Sequence, residues 1–305
     1  MSNPDSTPPP SRAPAVTIAL AARNAERTLA LTLRSVVQQT FADWELLLID
    51  DGSTDGTRAV AEAVAAQRAS AGRIRIDSDG RTLGLAARLN QAIDGARGRY
   101  LARLDADDVA FPERLQLQVD YLDQHPQIDL LGGGAIVFGD DGQAFGRYPI
   151  ALAHADICRR PWSGFYLAHP TWMGRIEWFR RFRYRAEMNR GAQDRELLLR
   201  SWRSSTFANL PNLLIGYRQQ QLDGLKFARS RVQFVRAALR QAWREGAWGA
   251  MVSVPAIQFA RAAYEAMAIG AGLGRPLLRH RARPLADQDA AAWAQCWRAL
   301  QVEHG

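Results

Sequence analysis

Residues 16–57 read VTIALAARNAERTLALTLRSVVQQTFADWELLLIDDGSTDGT, and this stretch decides the fold. It begins with the apolar run Val16 to Ala22, which predicts a strand. Apolar residues recur at helical spacing from Ala25 to Gln39, so a helix is expected next. A second β-type run, Glu45 to Ile49, ends abruptly in acidic and turn residues. The order strand, helix, strand predicts two parallel strands joined by a helical crossover.

The same alternation continues downstream. It predicts helices over Thr57 to Gln67 and Leu85 to Ala96, and strands over Arg73 to Ile76 and Tyr100 to Leu104. The expected fold class is α/β, with a mainly parallel sheet flanked by helices on both faces. Ligands in such sheets lie beyond the carboxyl ends of the strands. The acidic residues that follow the predicted strands should therefore converge at one edge.

The chain beyond residue 112 is expected to be less regular. Helices are predicted over Glu113 to Asp123 and Arg195 to Trp202, a hairpin turn over Gly139 to Gly142, and a last strand over Leu213 to Tyr217. From Leu225 onward the chain is rich in Ala and Arg, which predicts helix to the end. The Pro- and Ser-rich residues 1–14 are expected to form a disordered leader.

Bulk composition limits the function classes. The 305 residues carry a formal charge of +8, which suits nucleic acid, anionic lipid or a phosphorylated substrate without choosing among them. Cys158 and Cys296 lie far apart, with no metal-binding cluster around either, which favours a reducing cytoplasm. The apolar window Ala247 to Leu273 is interrupted by Pro and charged residues, so it does not predict a membrane span. It either packs on the first domain or lies on a bilayer surface.

Asp105-Ala106-Asp107, directly after a predicted strand, is a candidate metal site. Mg²⁺ and Mn²⁺ prefer hard oxygen ligands, and two aspartates at alternate positions can reach one ion and its surroundings. The same pattern would also suit a solvated acidic loop or the cap of the following helix. The motif alone leaves these alternatives open.

Several ordered motifs together resemble the family 2 glycosyltransferases. The resemblance runs from about Pro14 to Arg218 and includes SVVQQT, DDGSTDGT, GRYLARLDADDVAFPERL and AQDREL. It implies a GT-A fold with a nucleotide-binding half over about residues 15–112 and an acceptor half over about 113–222. Residues 223–305 would then form a helical C-terminal region.

The resemblance also implies the donor-side residues. Ala21 and Arg23 would flank the nucleobase, and Asp51 would contact uracil or ribose. The DxD motif would lie at Asp105, Ala106 and Asp107, with Asp107 the more direct ligand of Mn²⁺ or Mg²⁺. Arg88 occupies a position from which a cation can approach the diphosphate or the base, although a surface arginine is the alternative.

On the acceptor side, Asp194 matches the family's catalytic base. Its neighbour is Gln193 where the family usually has Glu, which concerns the class of acceptor more than the proton transfer. A carboxylate at a helix start is also stabilised by the helix dipole, whatever its role. His169 and Trp172 flank an HPT segment and are candidate acceptor-binding residues; both would also suit a packed core.

The resulting hypothesis is an inverting transfer of sugar from a nucleotide-sugar donor, most simply UDP-linked, to an acceptor hydroxyl. The acceptor would be a glycan or a lipid-linked molecule of bacterial surface polysaccharide or glycolipid synthesis. No nucleic-acid partner is expected, because no recognisable reading element accompanies the basic charge. A metal-dependent nucleotidyltransferase and a non-catalytic nucleotide-binding protein are the alternatives. A cytoplasmic location is expected, with peripheral contact at the inner membrane face through the basic C-terminal region as a further option.

Overall fold

The computed structural model describes residues 13–70, 72–188, 191–219, 224–271 and 283–301. Most of the predicted leader lies outside these residues. The first part of the chain contains β1 (Val16–Ala22), α1 (Glu26–Val37), β2 (Trp44–Asp50), α2 (Thr57–Ala65), β3 (Ile74–Ser78), α3 (Leu85–Gly95), β4 (Tyr100–Asp105) and β5 (Val109–Ala110). The predicted alternation of strands and helices is confirmed throughout this part.

The second part is more varied. Its elements are α4 (Arg114–Gln124), β6 (Leu130–Phe138), β7 (Ala144–Arg147), α5 (His154–Ile157), β8 (Met173–Arg175), α6 (Ile176–Phe182), α7 (Gln193–Ser201) and β9 (Phe207–Arg218). Three longer helices follow: α8 (Gly224–Glu245), α9 (Trp248–Gly270) and α10 (Asp287–Gln301). Helix was predicted to the end of the chain, but residues 272–282 and 302–305 of that prediction lie outside the described residues.

Within the described residues, the nine strands belong to one mixed sheet, in the order β3-β2-β1-β4-β8-β6-β9-β5, with β7 paired to β6. The four strands β3, β2, β1 and β4 are parallel to one another. Beyond β4 the pairing alternates, because β8 is antiparallel to both β4 and β6, whereas β6 and β9 are parallel. The expected parallel pairing therefore holds for the first four strands and for the pair β6 and β9, and the sheet as a whole is mixed.

Burial explains why β1 and β2 occupy the middle of the parallel part. Every residue of β2 is buried, and so are six of the seven residues of β1. Parallel strands covered by helices on both faces have this nearly continuous apolar sequence. In the register, Ala21 lies opposite Asp105, and Ala22 lies opposite Asp50. The carboxyl ends of β1, β2 and β4 consequently lie side by side.

The strand β9 is longer than its sequence pattern indicates. It extends from Phe207 through Pro211 to Arg218, and its pairing with β6 shifts register on either side of Gly134. A Cβ atom on Gly133 would collide with the side chain of Leu214, so the triple glycine of β6 allows the two strands to approach closely. This long strand brings the chain back to the candidate metal site at Asp105-Ala106-Asp107.

The C-terminal helices pack on the sheet domain at two places. In α8, Phe234 lies in one apolar cluster with Leu199 of α7. In α10, Trp293 packs against Phe138 of β6, with ring centroids 4.6 Å apart. Across the described residues, each helix falls short of the length and apolarity that a membrane crossing requires.

Candidate active site at the strand edge

The predicted donor-side residues lie at the shared edge of β1, β2 and β4. Ala21 and Arg23 are at the end of β1, and the backbone N–H of Asp51 donates to the carbonyl of Ala22 over 2.8 Å. Asp105 ends β4, and Ala106 follows it. Parallel pairing alone brings these five residues together, as the sequence predicted. Their roles in binding remain predictions.

Asp51 is held by a dense set of donors. Its Oδ1 accepts the backbone N–H of Leu83 at 2.7 Å and the Arg88 Nε–H at 2.9 Å, and the N–H of Gly84 lies 3.0 Å from Oδ2. Gly84 has a φ of 90°, a conformation that favours glycine. The carboxylate is therefore fixed between β2 and the loop that precedes α3.

Arg88 is wholly shielded from solvent and serves this network. Besides Asp51, its guanidinium pairs with Asp79 at 2.5 Å and donates to Gln91 at 2.8 Å and to the carbonyl of Arg81. These contacts engage all three of its nitrogens. Direct contact of Arg88 with a nucleotide remains a prediction; the geometry favours a residue that positions Asp51.

Asp50 lies beside Asp51 but faces the turn. Its carboxylate accepts bonds from the Ser53 backbone N–H at 3.2 Å, from the Ser53 hydroxyl and from the Ser78 hydroxyl at 3.0 Å. These contacts are those of a residue that forms the turn after β2 rather than of one that binds a ligand.

Three carboxylates form the acidic loop, which we define as residues 105–108. One oxygen each of Asp105, Asp107 and Asp108 lies within 4.8 Å of the others. The loop is pinned from α1, since the Thr28 hydroxyl donates to the Ala106 carbonyl at 3.0 Å and the Thr32 hydroxyl to the Asp108 carbonyl at 2.7 Å. The position of the carboxylates is therefore set by the first helix.

The end of β9 fixes the other side of the acidic loop. The backbone N–H of Arg218 donates to Asp108 Oδ1 at 2.9 Å, and its Nε–H donates to the Asp107 carbonyl at 3.0 Å. The guanidinium also lies 4.7 Å from the centroid of the Phe138 ring and pairs with Asp140 at 3.0 Å. Residues more than a hundred positions apart thus shape one loop.

The electrostatics of the acidic loop suit a cation. Loss of hydration and the neighbouring Asp105 charge raise the pKa of Asp107 to about 6. Burial, followed by the charges of Asp105 and Asp107, raises the pKa of Asp108 well above its usual value, and its buried Oδ2 has no hydrogen-bond partner among the described residues. Crowded carboxylates with an unused oxygen are the hard donor set that Mg²⁺ or Mn²⁺ prefers, so the residues fit such an ion.

Arg103 supplies a buried positive charge beside the same loop. It pairs with Asp105, and two of its nitrogens, Nε and Nη1, lack hydrogen-bond partners among the described residues. Burial opposes its charge, but the charges of Asp105 and Asp108 outweigh that effect and raise the pKa of Arg103. Arg103 was not among the predicted site residues, although a single arginine inside the apolar strand LARLD was a visible signal.

Asp194 lies at the start of α7, half-buried, and its carboxylate has no hydrogen bond or ion pair among the described residues. The residue that caps this helix, Ala192, has a φ of 61°, which is a costly conformation for a residue with a side chain. Strained backbone of this kind often accompanies functional positions. The role of Asp194 as a base stays a prediction.

His169 and Tyr184 lie near both the acidic loop and Asp194. His169 Nε2 lies 2.8 Å from the Tyr184 hydroxyl, and the charges of Arg103, Asp194 and Asp105 all act on that hydroxyl. Burial and the nearby Arg103 hold the pKa of His169 well below its usual value, so its ring is neutral. Tyr184 belongs to no motif, so no local pattern predicted its position here.

Trp172 is fully buried, and its indole N–H donates to the carbonyl of Leu167 at 3.3 Å. Its ring packs edge-on against His169, with centroids 4.6 Å apart. Of the two interpretations left open by the sequence, this position favours the packed core. Contact of Trp172 with an acceptor stays a prediction without geometric support.

Comparison with known proteins places the chain in a family. The profile of glycosyl transferase family 2 matches residues 17–183, more than half of the sequence. The chain belongs to glycosyl transferase family 2. The match includes the ends of β1 and β2 and the acidic loop, and stops before Asp194.

The similar curated proteins share the sheet domain. EpsE of Bacillus subtilis, named provisionally as a glycosyltransferase, is 35% identical over 189 residues, which is 61% of this chain and 66% of EpsE. The Escherichia coli protein WfgD, named UDP-Glc:alpha-D-GlcNAc-diphosphoundecaprenol beta-1,3-glucosyltransferase, is 36% identical over 35% of this chain and 40% of its own length. The chain thus spans less than two thirds of these relatives.

Solved structures support the fold. The mannosyltransferase PcManGT from Pyrobaculum calidifontis, solved with GDP-Man and Mn²⁺, superposes with a TM-score of 0.58 at 16% identity, over 97% of this chain and 89% of its own. Residues 1–349 of TarS from S. aureus, solved with UDP-GlcNAc, superpose with a TM-score of 0.56 at 16% identity, over 73% of this chain and 66% of that one. At these identities the likeness establishes the GT-A fold alone, with the predicted C-terminal helices added to it.

Proposed function

We propose that this protein is an inverting glycosyltransferase that moves a sugar from a nucleotide-sugar donor to an acceptor hydroxyl. The observation that carries the proposal is the acidic loop at the strand edge that it shares with Asp51, together with Asp194, whose charge acts with that of Asp105 on the Tyr184 hydroxyl. Family membership agrees with it. We propose residues 15–112 as the nucleotide-binding half, 113–222 as the acceptor half and 223–305 as a helical addition.

The donor side is built for a nucleoside diphosphate. Ala21 and Arg23 lie at the strand end where a base would rest, and the rigid Asp51 carboxylate can accept a hydrogen bond from a base N–H or a ribose hydroxyl. This acceptor suits uracil, whose N3–H is a donor, and also guanine, whose N1–H is one. WfgD is named for a UDP-linked sugar, whereas PcManGT was solved with GDP-Man. The nucleobase that the protein prefers is therefore the first property to measure.

Asp107 and Asp105 would hold a divalent cation, Mn²⁺ or Mg²⁺, with Asp108 close enough to orient them. When bound, such an ion offsets the charge that develops on the departing diphosphate. Arg103 holds Asp105 in place, and the α1 hydroxyls of Thr28 and Thr32 hold the loop backbone. These residues prepare the geometry before the donor arrives.

Asp194 would act as the base. Its carboxylate takes the proton of the acceptor hydroxyl while the hydroxyl oxygen attacks the anomeric carbon. The bond from that carbon to the diphosphate oxygen breaks, the nucleoside diphosphate leaves with the electron pair, and the anomeric configuration inverts. No donor among the described residues competes for this carboxylate, so its oxygens are available to the acceptor hydroxyl.

The acceptor we propose is a glycan or lipid-linked sugar of bacterial surface polysaccharide or glycolipid synthesis. WfgD, which is named for a diphosphoundecaprenol-linked acceptor, supports this class. A cytoplasmic location, with peripheral contact at the inner face of the membrane, agrees with such an acceptor.

Binding of UDP and GDP, measured by calorimetry with and without Mn²⁺, tests the donor side. We expect UDP to bind, Mn²⁺ to tighten binding, and Asp107→Ala to remove most of that gain, at least about tenfold. Asp120→Ala, an exposed aspartate on α4, is the matched control and should change nothing. The proton NMR coupling of the product's anomeric centre then reports inversion. Nucleotide binding that ignores both Mn²⁺ and Asp107→Ala, or a product with retained configuration, would refute the proposal.

A further inference from the structure

The outer side of α9 is apolar and exposed. Its inner side packs on the protein through Ala250, Val254 and Gln258. Five large apolar side chains on the opposite side are 54% to 77% exposed: Trp248, Val252, Phe259, Tyr264 and Met267. Proteins surrounded only by water rarely expose a continuous apolar surface of this kind.

Acidic groups are absent from this exposed side of α9. The helix contains two charged residues, Arg261 and Glu265. The Glu265 carboxylate turns to the neighbouring helix, where it pairs with Arg231 of α8 at 2.5 Å. Nothing on the outer side of α9 would therefore repel an anionic surface.

The outer side of α8 is basic. Arg229, Arg236, Arg240 and Arg244 are exposed, and the last three lie one helical turn apart on one side of the helix. None of the four has an ion pair or hydrogen bond among the described residues. The acidic residue of this helix, Glu245, pairs instead with Arg203 at 3.0 Å. Four positive charges thus remain uncompensated.

The two outer sides meet at the tip of the helical hairpin. Trp243 lies near the end of α8 and Trp248 begins α9. Their rings contact edge-on, with centroids 5.3 Å apart. Both rings are more than half exposed. Tryptophan is enriched where membrane meets water, because its ring is apolar and its N–H is polar.

We propose that this hairpin face, the exposed residues of α8 and α9, docks on the surface of a bilayer that contains anionic lipid. The apolar side chains of α9 would enter the boundary between head groups and acyl chains, and the arginines of α8 would meet the lipid phosphates. A symmetric contact with a second copy fits less well, since a two-fold interface would bring the same uncompensated arginines together.

The hairpin face is connected to the Asp194 region through α8. The Arg195 guanidinium lies 4.3 Å from the centroid of the Phe234 ring, and a Cβ on Gly191 would come within 2.8 Å of Ser230. Docking would therefore hold the start of α7 close to the bilayer. This last step rests on the proposed function, in which Asp194 is the base. Docking would present Asp194 to an acceptor whose lipid tail stays in the membrane.

Flotation of the full chain with vesicles tests the docking without donor, acceptor or metal. We expect binding to vesicles of phosphatidylcholine with phosphatidylglycerol, weaker binding to phosphatidylcholine alone, and a loss of affinity as salt is raised. Arg236→Gln with Arg240→Gln should weaken binding about 25-fold, because each arginine near an anionic surface contributes a factor of about five. Val252→Ser with Phe259→Ser should weaken it at least about tenfold.

Matched controls lie elsewhere on the surface. Arg68→Gln removes an exposed arginine without an ion pair, and Leu152→Ser removes an exposed apolar side chain; neither should alter vesicle binding. Equal binding by the hairpin variants and the wild type would overturn the proposal. So would self-association in sedimentation that Phe259→Ser abolishes while vesicles remain unbound, since the face would then join two copies. Vesicle binding by a protein that fails to bind nucleotide would leave docking intact and refute the proposed function alone.

Discussion

Asp51, at the end of β2, and Asp194, at the start of α7, have opposite hydrogen-bonding surroundings. Asp51 receives two backbone N–H groups and one guanidinium, whereas Asp194 has no hydrogen-bond partner among the described residues. The first arrangement fixes the carboxylate in one position, which suits the nucleotide contact that we propose for Asp51. The second leaves a carboxylate without a donor among the described residues, which suits the proton acceptor that we propose. The molecule therefore contains a rigid region at the end of β2 and a less constrained one at the start of α7.

The largest effect should come from Asp194→Asn. An amide cannot accept the hydroxyl proton, so we expect transfer to fall about a thousandfold, while nucleotide affinity stays within about twofold of the wild type. Transfer is measured by release of nucleoside diphosphate in the presence of acceptor, and affinity by calorimetry.

The matched control for this change is Asp287→Asn, which alters an exposed carboxylate in the first turn of α10. It removes the same interaction with a helix dipole without touching the site, so transfer should persist. If the Asp194 and Asp287 variants have comparable activity, Asp194 is not the base and the start of α7 has no special role in transfer.

The rigid region is tested next, with Arg88→Met. Removing the guanidinium leaves Asp51 with two donors, and we expect the free energy of unfolding in urea to fall by about 2–3 kcal/mol. This is below the usual cost for a deeply buried pair, because the second partner, Asp79, can be solvated. UDP affinity should fall as well.

Arg81→Met is the control, because the exposed Arg81 pairs with the same Asp79 at 3.0 Å. We expect a loss of less than about 0.5 kcal/mol. If the two variants lose equal stability, Asp51 is not held by Arg88 in the way described.

His169, which lies between the two regions, should make stability depend on pH. Its pKa is lowered in the folded protein, chiefly by burial, so as pH falls below about 6.5 the unfolded chain takes up the proton first. The stabilisation is present above that pH and is lost as pH decreases, by about 2 kcal/mol at about pH 5.

The measurement is the difference in unfolding free energy between the wild type and His169→Gln. Asp107 and Asp108 titrate in both proteins and cancel in this difference. We expect the advantage of the wild type to shrink as pH falls from neutral to about 5. A difference that is constant across this range would mean that His169 takes up its proton equally in the folded and unfolded states, against the lowered pKa.

The smallest effect should come from Thr32→Val, which removes the hydroxyl that pins the acidic loop to α1. We expect a loss of about 1 kcal/mol in stability and a few-fold weaker Mn²⁺-dependent nucleotide binding. Thr40→Val removes a similar bond, to the carbonyl of Pro112, at an exposed position where water can replace it. Equal effects of the two changes on Mn²⁺-dependent binding would show that the pinning is unimportant.

The sequence by itself determined the parallel half of the molecule. Continuous apolar runs at β1 and β2, helical periodicity between them, and acidic residues directly after each strand are local patterns. Parallel pairing then brings the ends of those strands to one edge without further information. The positions of Ala21, Asp51 and Asp105 followed from these patterns.

Only the tertiary structure decided the rest. The long β9 pairs in parallel with β6 and brings Arg218 to the acidic loop, a contact across 110 positions that no local pattern contains. Arg88 looked like a surface arginine or a phosphate ligand, but its partners Asp51 and Asp79 come from other elements. The physical reason is that periodicity reports burial and local conformation, whereas the pairing of buried charges depends on which distant segments meet.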